Sequence, residues 1–214
     1  MANKLKHACK FKKIGHAGTL DPLATGLLIL CTGKMTKQID QYQAQEKEYT
    51  GTLVLGKTTP SVDLETEIDA EFDTSGVTPD QIQEAAQQLT GDILQVPPIY
   101  SAIRVNGERL YEKARRGETA DRVDGGIKAR TVTVSVFEVN TERFPEVDFR
   151  IVCSKGTYIR SLVRDLGLLL NNGAYMSGLR RTRIGNFRVE DAATIEQFIA
   201  VHRASLPDPL STNE

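Results

Sequence analysis

The run Arg130-Thr-Val-Thr-Val-Ser-Val-Phe-Glu-Val139 and, after Asn140–Glu146, the run Val147-Asp-Phe-Arg-Ile-Val-Cys153 alternate with the two-residue period of half-buried strands. Val132, Val134 and Val136 share one face of the first run, and Val147, Phe149, Ile151 and Cys153 share one face of the second. So short a link predicts neighbouring antiparallel strands. Directly afterwards the period changes. Beyond Gly156, the residues Ile159, Leu162, Val163 and Leu166 recur at helical spacing. Working outward, Tyr49–Leu55 is a further strand signal. A T-x-x-Q box at Thr78–Gln81, with Pro79 at the first helical position, opens a helix carrying Ile82, Ala85, Ala86 and Leu89. A second box at Thr194–Gln197 opens another, with Ile195, Phe198 and Ile199 on one face. Strands follow strands instead of alternating strictly with helices. The class is therefore mixed α/β of the α+β kind, with a mainly antiparallel sheet.

The 214 residues suffice for one good core, and 40% hydrophobic with 26% charged residues excludes a disordered tail or fibrous repeat. Without repeats or low-complexity linkers, residues 1–205 read as one domain. Residues 206–214, beginning Leu206-Pro-Asp-Pro-Leu210, read as a tail. Cys9, Cys31 and Cys153 form neither an even disulfide framework nor a close metal pair, which suits a reducing cytosol. His7, His16 and His202 lack the i, i+4 partner of a helical zinc site, so no metal is expected. No apolar run reaches the roughly 20 residues of a membrane span, and the N-terminus lacks a signal-peptide core. A cytoplasmic protein with no membrane partner is expected.

Charge is uneven along the chain. The total is −1, from 27 basic and 28 acidic residues, but residues 1–60 sum to +5, 61–100 to −9, 101–188 to +7 and 189–214 to −4. Two basic blocks folded around one groove would make a local field able to hold phosphates. The other reading is two separately solvated surfaces.

The densest chemical signal is Gly15-His-Ala-Gly-Thr-Leu-Asp-Pro-Leu-Ala-Thr-Gly26, a shaped loop around one carboxylate. Asp21 before Pro22 is either a nucleophile or general base, or a turn-forming or helix-capping residue. A second segment, Cys153-Ser-Lys-Gly-Thr-Tyr-Ile-Arg160, places Lys155, Tyr158 and Arg160 where a strand turns into a helix, whose N-terminus favours anions. Arg160 could pair with a carboxylate or an RNA phosphate, or lie on the surface. Cys153, in an apolar alternation, reads as a buried structural thiol. Arg104–Arg116 sets Tyr111 among basic residues, and in Leu179–Arg188 the pair Arg181 and Arg183 would share one strand face; both pieces suit a nucleic acid or a solvated surface. There is neither a G-x-S-x-G elbow nor a P-loop.

Together these segments resemble the TruB family of tRNA pseudouridine synthases. The Gly15–Gly26 block is similar to its catalytic motif. Lys47–Gly56, Val96–Tyr111, Cys153–Arg160 and Leu179–Phe187 follow in the family's order. The resemblance implies a pseudouridine synthase fold around a central RNA-binding cleft, and isomerisation of the T-loop uridine of tRNA, position 55. It implies no cofactor, no guide RNA and no obligatory protein partner. By the same resemblance Asp21 is catalytic, and His16, Tyr49, Tyr158, Arg160 and Leu179 bind substrate. Tyr49 would stack on the extruded base, and Arg160 would hold Asp21 ionised and oriented. Lys155, Arg181 and Arg183 are candidates for the RNA backbone. All of these lie in the two basic blocks, none in the acidic one. Family members also carry an N-terminal strand with a Lys-Pro-x-Gly-x-Thr-Ser motif, whereas this chain starts within the following helix, at Asn3–Phe11. Many append a PUA domain, for which there is no room after residue 200. An RNA-binding or RNA-folding module with little catalysis is thus the alternative.

The charge pattern predicts RNA affinity that falls steeply with salt, on the order of 10³-fold between about 50 and 200 mM for some six phosphate contacts. Fluorescence anisotropy with a T-arm stem-loop measures it, and a flat dependence would argue against a phosphate-tracking groove.

Overall fold

The computed structural model describes residues 1–118 and 126–205, so the expected tail at 206–214 lies outside the described residues. The chain forms helix α1 (Ala2–Ala8), strands β1 (Ile14–His16), β2 (Thr25–Gly26) and β3 (Leu30–Thr32), a 3-10 turn at Gly33–Gln38 and helix α2 (Ile39–Ala44). Next come β4 (Lys47–Leu55), the short β5 (Lys57–Thr58) and β6 (Ala70–Glu71), helix α3 (Pro79–Gln88) and β7 (Gly91–Gln95). A small ribbon, β8 (Arg104–Val105) with β9 (Glu108–Arg109), leads into α4 (Leu110–Arg115). The last third contains β10 (Arg130–Asn140), β11 (Glu146–Cys153), α5 (Ile159–Leu169), β12 (Ala174–Ile184), β13 (Phe187–Arg188) and α6 (Ile195–Ala204).

The main sheet runs β13-β12-β4-β11-β10-β7, antiparallel throughout, with β2 added in parallel against β12. The two alternating runs are neighbours as the sequence predicts, Phe137 opposite Ile151 and Val139 opposite Phe149. On β4, Tyr49, Gly51, Leu53 and Leu55 share one face. They lie opposite Arg181, Leu179, Met176 and Ala174 of β12. Helices α3 and α5 cover this face: Ile82, Ala85 and Ala86, with Leu162, Val163 and Leu166, complete one core with Leu53, Phe149 and Ile151. Each of the Ile, Leu, Val and Phe side chains among them contributes about 1.5–3 kcal/mol on full burial. Gly51 is required by packing, because a Cβ there would sit 2.4 Å from the Gly178 carbonyl oxygen and 2.5 Å from the Phe149 ring. The opposite face is polar. Arg150 bridges Glu138 and Glu48 across three strands, and Thr52 donates to Asp148 at 2.6 Å.

All three expected helices form. At α3 the Gln81 N–H donates to Thr78 Oγ1 at 3.3 Å while Gln81 Oε1 accepts from the Thr78 N–H at 2.9 Å, a complete capping box with Pro79 behind it. The apolar stripe of α6 covers less than its spacing suggests. None of its residues is fully buried: Phe198 meets the rings of Phe11 and His202, and its partner α1 is only seven residues long. Among the described residues no helix is long and apolar enough to cross a membrane. Thr78→Ala removes the reciprocal cap, and chemical denaturation should show a loss of about 1 kcal/mol with activity unchanged.

Candidate active site

Strands β1 and β3 pair with His16 opposite Leu30, and the Ala17 N–H donates to the Ile29 carbonyl at 3.0 Å, so residues 17–29 form a loop with a closed neck. At its tip the Ala24 N–H donates to the Asp21 carbonyl at 3.0 Å. Pro22 occupies the second position of that turn, where its fixed φ fits. Asp21 is thus a turn residue, and its side chain remains free for other work. The far limb of the loop lies on β12: the Leu27 N–H donates to the Arg181 carbonyl at 2.8 Å. Gly26, at φ +103°, approaches so closely that a Cβ would lie 2.2 Å from that oxygen.

Arg160, in the first turn of α5, is 3% exposed and grips Asp21 with two parallel bonds, Nε to Oδ2 at 3.0 Å and Nη2 to Oδ1 at 2.9 Å. Such bidentate charge-assisted pairing fixes the carboxylate's plane as well as its position. The rest of the guanidinium donates to the carbonyls of Ser61 at 3.0 Å and Tyr100 at 2.8 Å. The buried Asp63 carboxylate lies 3.6 Å from Nε, a second negative charge against the same cation. The turn presenting Ser61 and Asp63 is strained, since Val62 between them holds φ +61°, a rare conformation for a β-branched residue that costs of order 1–3 kcal/mol. It is held by the Asp63 carbonyl accepting from the Thr59 and Ser61 hydroxyls, and by the Met176 N–H donating to the Val62 carbonyl.

Tyr158 stands just before α5, and the fully buried Gln95 side chain serves both of its backbone groups, accepting from its N–H at 2.8 Å and donating to its carbonyl at 3.2 Å. Burial pushes the Tyr158 phenol upward, opposed by the Arg130 charge. The Tyr49 phenol is pushed upward in the same way, with the Arg181 charge pulling against it. Leu179 is buried opposite Gly51 and, with Leu23 and Thr25, lines a shallow depression of about 690 Å³ that Asp21 does not line. His16 is exposed on β1, and Lys155 is exposed at the turn before α5.

The structure changes several expectations. Arg181 is not available to an RNA backbone: it is 1% exposed, and its guanidinium donates to the carbonyls of Leu27, Thr19 and Gly18. Nor does it share a face with Arg183. A bulge between them sets Arg181 opposite Tyr49 and Arg183 opposite Glu48, where Arg183 binds Glu46 at 2.7 Å. Around Tyr111 the basic residues are largely spent on acids, Arg115 on Glu65 and Arg116 on Glu108 and Glu118. The acidic block, from which no site residue was expected, supplies Ser61, Asp63, Gln95 and Tyr100. Of these only Asp63 is a chemically conspicuous type, and it lies among eight other carboxylates of its block with no pattern to single it out. Cys153 is 1% exposed with its thiol pushed up by burial to about 11, which fits a structural thiol.

The same fold occurs in a chain of a solved Cbf5–Nop10–Gar1 complex, which matches 93% of this chain with a TM-score of 0.68 and 30% identity. A chain of an archaeal box H/ACA sRNP Nop10–Cbf5 complex matches 94%, with a TM-score of 0.66 and 25% identity. This chain spans about half the length of each, 49% in both cases. Fold and site together define a class of enzyme in which one carboxylate is clamped on a loop by a buried arginine. The chain belongs to the TruB family of pseudouridylate synthases: the family's N-terminal domain matches residues 6–159, and the tRNA pseudouridylate synthase B C-terminal domain matches residues 160–208. Among its relatives, tRNA pseudouridine synthase B of Flavobacterium johnsoniae is 53% identical over 198 residues, and that of Phocaeicola vulgatus 49% over 204. Each match covers 92% of this chain, and 84% and 85% of the respective relative.

Arg160→Lys keeps a charge but loses the planar fork, so Asp21 is held at one point instead of two. Single-turnover measurements on a uridine-containing stem-loop should show a rate about 10²-fold lower, with RNA affinity little changed.

Proposed function

We propose that this chain converts the T-loop uridine at position 55 of tRNA to pseudouridine, with Asp21 as the reacting group. The observation that carries the reading is the bidentate Asp21–Arg160 pair: a carboxylate on a shaped loop, its side chain still 32% exposed, held by a cation that is itself almost wholly buried. The reaction breaks the bond from ribose C1′ to uracil N1, turns the base and joins C1′ to C5; C5 loses its proton and N1 gains one. It is an isomerisation, so atoms and electrons balance without an oxidant, a reductant or a second substrate. Asp21 acts on the ribose side as nucleophile or acid/base, while Arg160 holds it aimed through two hydrogen bonds. The base must leave its stack to reach Asp21. Tyr49, Tyr158 and Leu179 receive it, the two tyrosines as neutral phenols because burial raises both. His16, exposed on the rim, contacts the target loop, and Lys155 and Arg183 serve the RNA backbone. In this reading the enzyme works in the cytoplasm on tRNA alone, without guide RNA or protein partner.

Asp21→Asn keeps the turn and the volume but removes the charge. Release of the C5 hydrogen from a labelled T-arm stem-loop should become undetectable, while the stem-loop Kd stays within about twofold, since phosphate contacts dominate affinity. Turnover by that variant would remove Asp21 from the chemistry. A wild-type chain that binds the stem-loop without turnover would instead be an RNA-binding or RNA-folding module.

A further inference from the structure

The geometry points to Arg181 as a positioning residue that locks the backbone of the Asp21 loop from beneath, so that rate, and not RNA affinity, depends on it. This rests on the assignment of Asp21 as the reacting group. Arg181 occupies the core face of β12, between positions filled by Leu179 and Ile184, and is among the most deeply buried side chains of the protein. Burying a cation costs several kcal/mol unless its donors are satisfied. Yet no carboxylate lies within 4.0 Å of Arg181 among the described residues. Its guanidinium donates to three carbonyls of one loop, Leu27 at 2.8 Å, Gly18 at 3.3 Å and Thr19 at 3.4 Å, and also hydrogen-bonds the Tyr49 phenol. A residue selected for packing alone would be aliphatic here.

The placement of those carbonyls gives the fork its purpose. Gly18 and Thr19 lie on the limb entering the turn at Asp21, and Leu27 on the limb leaving it, so one planar group ties both limbs across the neck. Gly18 and Gly26 both hold positive φ, +95° and +103°, so they are the natural hinges of the loop. The Arg181 side chain is attached beside one hinge, and its backbone carbonyl receives Leu27 beside the other. Arg160 fixes the Asp21 carboxylate from one side; Arg181 fixes the chain that carries it from the other. Because Arg181 is also the cross-strand neighbour of Tyr49, the same group sets the loop's height relative to the strand bearing that ring.

The test compares Arg181→Met, Arg181→Lys and Gly26→Ala with the wild type and with Asp21→Asn, using single-turnover pseudouridine formation and Kd on one stem-loop, with circular dichroism to establish folding. Arg181→Met should lower the rate about 10²-fold with Kd within about twofold, as expected for misplacement of a catalytic group by an ångström. Arg181→Lys, which keeps the charge and reaches part of the carbonyl set, should recover about tenfold of that loss, a rescue that a space-filling role would not show. Gly26→Ala keeps the Arg181 side chain but forces the loop away from the Arg181 backbone, loosening the same contacts from the loop's side, and should show the same separation of rate from affinity. If Arg181→Met does not fold, Arg181→Lys and Gly26→Ala decide the matter. Folded variants with wild-type rates, or rate and affinity falling together, overturn the role of Arg181 while an inactive Asp21→Asn keeps the reading of Asp21. An active Asp21→Asn overturns both.

Discussion

A guanidinium at 3% exposure has to find partners for its N–H groups inside the protein, and the Arg160 side chain finds them in three separate places. The loop at Asp21, the strained turn at Ser61–Asp63 and the carbonyl of Tyr100 converge on one planar fork at the start of α5. Leaving any of them out would strand a buried charge at a cost of several kcal/mol. The site is therefore an obligatory part of the fold. Strain at Val62 is tolerated for the same reason, since the turn it permits supplies both an acceptor and a counter-charge.

The sheet makes this convergence possible by using one face for two purposes. Along β4 the inward positions pass from Leu55 and Leu53 through Gly51 to Tyr49, and along β12 from Met176 through Leu179 to Arg181. At one end the facing residues are aliphatic and packed under α3 and α5. At the other they are a phenol and a guanidinium supporting a loop. Bulges in β12, after Met176 and after Arg181, keep this face aligned where strict alternation would have turned it over.

Electrostatics repeats the point on a larger scale. The chain is nearly neutral overall, and its acidic block is not simply kept apart from the site: Asp63 from that block balances Arg160, and Glu65 holds Arg115. The basic blocks contribute exposed charge, but some of their arginines hold the protein together. What stays exposed after these internal pairings includes Lys155 and His16.

Strand period, helix caps and the loop chemistry of Gly15–Gly26 were legible because each depends on residues a few positions apart, where sequence neighbours are spatial neighbours. Asp21 and Arg160 could be named for the same reason: each sits in a motif dense enough to resemble a family. The deep burial of Arg160, the contribution of Asp63 and Gln95, and the use of Arg181 as a support and not a phosphate ligand were not legible. Those facts rest on contacts between residues 60 to 163 positions apart, and on a bulge that no local pattern announces. The sequence by itself determined the main alternating strands and capped helices, and it singled out the carboxylate to which the reaction is assigned. Only the tertiary structure decided which arginines are exposed and which are buried, because a long cationic side chain takes its role from the acceptors that distant segments bring to it.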